Sequence, residues 1–306
     1  SGTESANLAL RSAVSGRGNR GRILISAVEH HAVLNCAASL GAEGFTVERL
    51  PVDRYGAVSP DVLKDRMGSG VLVVSVMSVN NETGVINDTA ALCKIAHDGG
   101  AFFHTDAVQA LGVRRIGAEN IKADYISVSA HKIYGPKGVG ALYAADGAPL
   151  FPVIRGGEQE GGARAGTENV AGIIGFGRAA GILGERLEED VLHLGRLRRI
   201  FLDGIARIPD LMVNSPPDGA PHIISVSVAG IEAEPCLLRL SGAGVLASMG
   251  AACNSSSLEP SHVVEAIGVP AEYRRGTMRF SFGRDNTAED ASFAAHELAV
   301  AAAKSG

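Results

Sequence analysis

Ser127-Val-Ser-Ala-His-Lys-Ile-Tyr-Gly-Pro-Lys-Gly-Val-Gly140 is the stretch whose reading decides the fold. Strand-like runs flank it, Asp124–Val128 before and Val139–Ala144 after. Its polar residues therefore lie on a connection at strand ends, where open α/β sheets gather their ligands. Ser129, His131 and Lys132 crowd together, followed by Gly135-Pro136, Gly138 and Gly140. An amine between hydrogen-bonding side chains, in glycine-rich backbone, suits a lysine that holds a phosphate-bearing carbonyl compound as a Schiff base. A solvated lysine in a surface turn is the competing reading, and it is the one taken for Lys137. The rest of the chain decides between them.

Upstream, apolar runs and helical patterns alternate. Arg22–Val28, Thr46–Leu50, Val71–Val76 and Ala101–Phe103 read as strands. Val-Leu-Val-Val-Ser-Val (71–76) is β-branched and apolar on both faces, as a buried parallel strand requires. Asn7–Ser12, His31–Leu40, Pro60–Met67 and Thr89–His97 read as helices. This alternation predicts an α/β fold with a mostly parallel sheet. After the glycine-rich Gly156–Gly166 the pattern changes. Val170–Ile208 is helical in period and broken at glycines, followed by strand His222–Val228, helix Pro235–Leu240, strand Thr277–Phe282 and helix Ala288–Lys304. Thr287 and Asp290 give that last helix a capping-box spacing. The expected division is a large domain over 1–185 and a smaller α+β C-terminal domain over 186–306.

Composition narrows the function. The 306 residues are 46% hydrophobic and 20% charged, an ordinary soluble balance. The net charge of −5 offers no basic surface for nucleic acid or an anionic membrane. Cys36, Cys93, Cys236 and Cys253 form no Cys-x-x-Cys pair, so neither a disulfide framework nor a metal site is indicated. A reducing cytoplasm is the expected location. No apolar run approaches membrane-spanning length, and the opening Ser-Gly-Thr-Glu-Ser-Ala-Asn lacks the regions of a signal peptide. Because the chain opens without Met, directly on a helix cap, a missing N-terminal segment is expected.

Polar residues recur at the strand ends: His30, Asn81, Asp106 with Gln109, and Ser129-His131-Lys132. In a parallel sheet these ends share one edge. The motifs in order are Ser-Gly-Thr-Glu-Ser (1–5), Glu-His-His-Ala-Val-Leu (29–34), Val-Asn-Asn-Glu-Thr-Gly (79–84) and His-Thr-Asp-Ala-Val-Gln (104–109). They continue with Ser-Ala-His-Lys-Ile-Tyr-Gly-Pro-Lys-Gly (129–138), Ala-Gly-Thr-Glu-Asn (165–169), Cys-Asn-Ser-Ser-Ser-Leu-Glu-Pro-Ser-His (253–262) and Arg-Phe-Ser-Phe-Gly-Arg (279–284). With these motifs, from Ser1 to at least Thr287, the chain resembles the cysteine desulfurases. These are pyridoxal-phosphate (PLP) enzymes of the class V aminotransferase group with the fold-type I architecture, whose large domain has a seven-stranded-type sheet.

The resemblance implies a role for each residue. Lys132 would hold PLP and carry the substrate's Cα proton. Asp106 would keep the pyridine nitrogen protonated, although a helix cap is its plain structural alternative. His30 would stack on the ring and assist proton transfer. Gln109 would donate to the phenolic oxygen, and Ser129, His131 and Thr3 would bind the phosphate. Thr167 would reach that phosphate from a partner subunit, which implies a homodimer with shared active sites. Arg279 would clamp the carboxylate of L-cysteine bidentately, with Asn81 contacting cofactor and carboxylate. Arg284 is expected in a structural ion pair. Cys253, in small, polar Gly-Ala-Ala-Cys-Asn-Ser-Ser-Ser, would take the sulfur as a persulfide and pass it to a protein acceptor, an iron–sulfur scaffold or thiolation relay. The chain departs from the family pattern at Glu158 and Gly161, where glycine and arginine are usual, and at Ala251, where serine is common. The implied reaction converts L-cysteine to L-alanine. A selenocysteine lyase or another class V enzyme is the alternative, and a non-catalytic sulfur-relay protein a third reading.

Overall fold

The computed structural model describes residues 1–16, 20–249 and 261–303. Two units divide the chain: Ser1–Pro51, Val58–Val79 and Asn87–Leu187 form the first, while Val52–Ala57, Asn80–Ile86 and the chain from Glu188 onward form the second. Two short segments early in the sequence thus cluster with the C-terminal residues, among them the turn that carries Asn81.

The first unit is built on β1 (Arg22–Ser26), β2 (Thr46–Leu50), β3 (Val71–Ser75), β4 (Phe102–Asp106), β5 (Tyr125–Ser129) and β6 (Gly140–Ala144). They form one sheet in the order β2-β1-β3-β4-β5-β6, parallel except for the antiparallel β5–β6 pair. Six strands are present among the described residues where the resemblance implied seven. The sequence itself carries only six strand-like runs here; the seventh came from the family alone. The order reverses between β1 and β3, the kind of switch point beside which α/β sheets place their ligands.

Helices α1 (Gly2–Val14), α2 (His31–Ala42), α3 (Pro60–Arg66), α4 (Thr89–Asp98) and the short α5 (Ala118–Ile121) join these strands. α1 begins at Gly2, earlier than the apolar period alone indicates, because Ser1 Oγ accepts the Glu4 N–H at 3.2 Å and caps it. Ala6, Ala9 and Leu10 of α1 pack with Val33 and Leu40 of α2 over Ile23, Ile25, Val73 and Tyr125 of the sheet. Gly140 permits close approach at the sheet edge: a Cβ there would lie 2.7 Å from the Val128 carbonyl and 2.8 Å from the Ser1 carbonyl carbon. The start of α1 is thereby seated beside the ends of β5 and β6.

The expected helical stretch broken at glycines is instead one helix, α6 (Val170–Ile205). Each interior glycine costs about 1 kcal/mol relative to alanine. One of them repays this through packing: a Cβ on Gly175 would sit 2.9 Å from Pro136 Cγ, so glycine lets the helix lie against the lysine-bearing loop.

The second unit carries the antiparallel sheet β7-β8-β9 (Leu211–Val213, Ile223–Val228, Thr277–Ser281). With it are α7 (Ala233–Gly242), α8 (His262–Ala266), α9 (Ala271–Arg274) and α10 (Ala288–Ala303). Its core joins Phe201 of α6, Ile224 and Val226 of β8, Phe280 of β9 and Leu298 of α10, with the Phe201 and Phe280 rings 4.7 Å apart. The three-residue β7 was not legible as a strand. Among the described residues no helix is long and apolar enough to cross a membrane.

Buried Arg198 holds the connection before β8, donating to the carbonyls of Pro216 (2.6 Å), Ile223 (2.8 Å) and Ala220 (3.3 Å). Replacing Arg198 with Met keeps the apolar stem but leaves buried carbonyls without donors, which costs roughly 3 kcal/mol. Urea titration of Arg198→Met should show that loss as a lower midpoint.

Candidate active site

The site in the first unit is made by strand ends and the backbone that follows each. Past β1, which ends at Ser26, the chain turns and reaches His30, the N-cap of α2, whose Nδ1 accepts the Ala32 N–H at 3.1 Å. That bond fixes the tautomer: Nδ1 is the acceptor and Nε2 carries the proton. Burial, then the charges of His31 and Lys132, holds the His30 pKa below the usual histidine range. His31, beside it, is the first residue of α2.

At β4 the last strand residue is Asp106, 6% exposed, with Oδ1 accepting the Val108 N–H at 2.9 Å. Burial pushes its pKa up to about 6, against the opposing pull of the Val108 amide and of Lys132. Gln109 follows, half-buried, on the turn after Asp106. At β5 the chain leaves buried Ser129 into a single 3-10 turn, Ala130–Ile133, closed by Tyr134 at φ +65° and by the Gly135 N–H on the Ala130 carbonyl at 3.0 Å. This tight turn presents His131 and Lys132 outward while Ile133 is buried. Ser129 Oγ and His131 Nδ1 share a hydrogen bond of 2.8 Å. Desolvation, followed by the charges of Lys132 and Lys137, lowers the His131 pKa.

Thr3 is exposed in the first turn of α1, where backbone N–H groups are unused by the helix and favour an anion. The neighbouring Glu4 is bound by Arg164 (Nε to Oε1, 2.8 Å), which ties the Gly156–Gly166 segment to the same helix start. Arg164 also holds the Glu4 pKa below its ordinary value. Thr167 is exposed just beyond. Strand ends thus bring His30, Asp106, Gln109, Ser129, His131 and Lys132 into one unit, on the edge that the sequence indicated.

Arg279 and Asn81 belong to the second unit. Asn80 Oδ1 accepts the N–H groups of Glu82 (2.8 Å) and Thr83 (2.9 Å), bending the chain so that the Asn81 carbonyl takes a bond from Arg279 Nη1 at 2.8 Å. Asn81 meets Arg279 through its main chain. Glu82, buried, accepts from Ser261 Oγ at 2.9 Å, and burial raises its pKa to about 6 against the nearby Arg279 charge. Arg284 faces Asp190 at 3.6 Å, the expected structural pair.

The aminotransferase class-V family model matches residues 1–293. Cysteine desulfurase IscS of Methanosarcina thermophila is 44% identical over 291 residues, spanning 94% of this chain and 72% of the relative. The chain belongs to the cysteine desulfurase family. A solved NifS-like protein superimposes with a TM-score of 0.90 at 33% identity, over 98% of this chain and 80% of that one. A structure of SspA in complex with cysteine gives 0.79 at 30% identity, over 94% and 80%.

Cysteine desulfurases are PLP-dependent, and the first unit's residues fit that group. A buried carboxyl held between an amide and a lysine suits a protonated ring nitrogen, and a lysine in a short rigid turn suits an aldehyde. The start of α1, with Ser129 and His131, suits a phosphate. Cys253 and Ala251 lie outside the described residues. The other cysteines, Cys36, Cys93 and Cys236, are buried and free. Among the described residues no group of His, Cys, Asp and Glu could hold a metal ion.

One buried group had no assigned role in the sequence. Glu29 is fully buried beside His30, accepts the Met77 N–H at 2.6 Å, and has its pKa raised well above the carboxylate range by desolvation, with Asp106 adding to the rise. The only sequence signal was an acid directly after an apolar strand.

Asp106 couples the stability of the fold to pH. Its folded pKa of about 6 exceeds the ordinary 3.8, so between these values the unfolded chain ionises first and stability falls as pH rises. The loss amounts to about 3 kcal/mol by pH 7. Denaturant titrations of cofactor-stripped protein at pH 4, 5 and 7 should show this decline, and Asp106→Asn should make it shallower.

Proposed function

We propose that this cysteine desulfurase works at the strand-end cluster of its first unit, with Lys132 as the anchor and proton carrier and Cys253 as the sulfur acceptor. The observation that carries the reading is the pairing of outward-facing Lys132 on the turn after β5 with the buried Asp106 carboxyl at the end of the neighbouring β4. When bound, PLP supplies a sink for the electron pair left on the substrate's Cα. Asp106 stabilises the protonated ring nitrogen as a buried anion. His30 gives the ring an aromatic face and keeps a proton on Nε2. Gln109 donates to the phenolic oxygen, while Ser129, His131 and Thr3 hold the phosphate.

Lys132 Nζ takes the Cα proton of L-cysteine and returns it. Arg279 would hold the substrate carboxylate, its orientation fixed within the second unit by the Asn81 carbonyl, with Asn81 as the second residue that the family resemblance assigns to this role. The Cys253 thiolate then attacks the substrate sulfur. A sulfur–sulfur bond forms as the Cβ–S bond breaks, and the carbon skeleton is protonated and leaves as L-alanine. The persulfide sulfur passes to a protein acceptor, an iron–sulfur scaffold or a thiolation relay. Support for Cys253 comes from the chemistry of the other thiols: burial raises the pKa of Cys36 to about 11, of Cys93 to about 12, and of Cys236 above its ordinary value. A thiol so raised is a poor nucleophile at neutral pH.

A homodimer completes the reading, with Thr167 of the partner subunit adding to the phosphate contacts. In the first unit Leu150, Phe151, Val153, Val170, Ile173 and Ile174 are each more than 40% exposed, an apolar surface of the kind that subunit interfaces cover. The Arg164–Glu4 pair steadies the loop that presents Thr167.

Alanine release from L-cysteine by wild type and Cys253→Ser tests the assignment, with mass spectrometry of the cysteine-treated protein. Loss of about a hundredfold or more in the mutant, and one added sulfur atom on Cys253 in the wild type, are expected. A mutant that releases alanine at the wild-type rate would reassign the chain to lyase-type chemistry that needs no enzyme thiol.

A further inference from the structure

Beneath the strand ends runs a chain of buried side-chain hydrogen bonds that the reaction as described does not use. Ser75 Oγ of β3 meets His104 Nδ1 of β4 at 2.7 Å, and His104 Nε2 meets Ser127 Oγ of β5 at 2.9 Å. Ser5 Oγ of α1 donates to Ser127 Oγ at 2.8 Å and reaches the Ala141 carbonyl of β6 at 3.1 Å. Ser75, His104 and Ser127 are wholly inaccessible, and Ser5 is 6% exposed. The chain crosses from β3 through β4 and β5 to the first turn of α1.

Strand periodicity places this chain one layer below the cofactor residues. His104 and Asp106 lie two apart on β4, and Ser127 and Ser129 two apart on β5, so each pair points to one face. Ser5 lies two residues after Thr3 on α1. We propose that His104 is a positioning residue for PLP binding, a neutral crossbar that fixes the first turn of α1, and with it Thr3, against the strands bearing Asp106 and Ser129. The inference rests on the site assignment made above.

The chemistry of the ring fits such a role. A serine hydroxyl can donate or accept, so whichever tautomer His104 holds, one ring nitrogen donates and the other accepts, one toward Ser75 and one toward Ser127. Both ring nitrogens are then engaged with the imidazole uncharged. Burial agrees, lowering the His104 pKa to about 3. A lysine or arginine could not take this place without burying a charge, and an aliphatic residue would leave buried hydroxyls on β3 and β5 without their partner. The link matters where the phosphate binds, because α1 contributes Thr3 there and no residue proposed to contact the ring.

Apoprotein titrated with PLP and, separately, with pyridoxal, which lacks the phosphate, tests the proposal. His104→Asn keeps an amide near the Nδ1 position and loses the reach to Ser127; His104→Gln can restore that reach. Ser5→Ala cuts the chain at α1 and leaves His104 in place. His104→Asn and Ser5→Ala should each weaken PLP about tenfold and pyridoxal less than about twofold, the size of one lost buried hydrogen bond, with His104→Gln recovering most of the loss. Equal weakening toward both ligands, or none in Ser5→Ala, would overturn the proposal, and Ser5→Ala decides the matter should His104→Asn fail to fold. Lys132→Ala, run alongside, separates the two levels. If it still forms the Schiff-base absorbance, the site assignment itself falls and this inference with it; if it does not, and the other variants bind PLP normally, only the crossbar is wrong.

Discussion

A carboxyl group buried at the end of a parallel strand is costly, and the architecture of the first unit is arranged around that cost at Asp106. The strand ends there because the carboxyl takes the Val108 N–H, which turns the chain away from the sheet. The adjacent strand answers with Lys132, carried on a turn tight enough to need a left-handed Tyr134. Burial raises the Asp106 pKa while Lys132 and the Val108 amide oppose the rise. A polar pocket of this kind is stable only when its charges face one another, and that mutual dependence makes it a natural seat for a cationic aromatic ring.

Much of this was legible in the sequence because parallel sheets convert order along the chain into order along an edge. The apolar runs at 22–28, 71–76 and 124–128 located β1, β3 and β5 to within a few residues, and the polar residues following them fell where open sheets collect ligands. Lys132 was readable for the same reason: its serine, histidine and glycine neighbours are local. Arg279 was named as a carboxylate clamp, yet its anchorage on the Asn81 main chain is a contact 198 residues distant in sequence that no spacing rule exposes.

What stayed hidden is equally specific. Serines at 75 and 127 look like ordinary strand polar residues, and His104 reads as part of a strand-end motif. Only the register of β3, β4 and β5, with α1 laid across them, assembles these into a continuous hydrogen-bonded chain. Glu29 was masked by the histidines that follow it. The uninterrupted α6 defeated a glycine-counting rule because helix propensity is a weak prior once packing, such as that of Gly175 against Pro136, intervenes. The expectation of a seventh strand came from analogy, while the six strands among the described residues each follow from a run of residues.

The raised pKa values of the buried cysteines bear on how mobilised sulfur is kept from straying. Exchange of a persulfide sulfur requires an attacking thiolate, and at pH 7 a thiol near 11, such as Cys36, is ionised in about one molecule in ten thousand. Burial likewise pushes the Cys93 thiol up to about 12. The folded interior therefore acts as an insulator toward sulfane sulfur: the described cysteines are present as packing material, and none of them competes with an external recipient for the cargo.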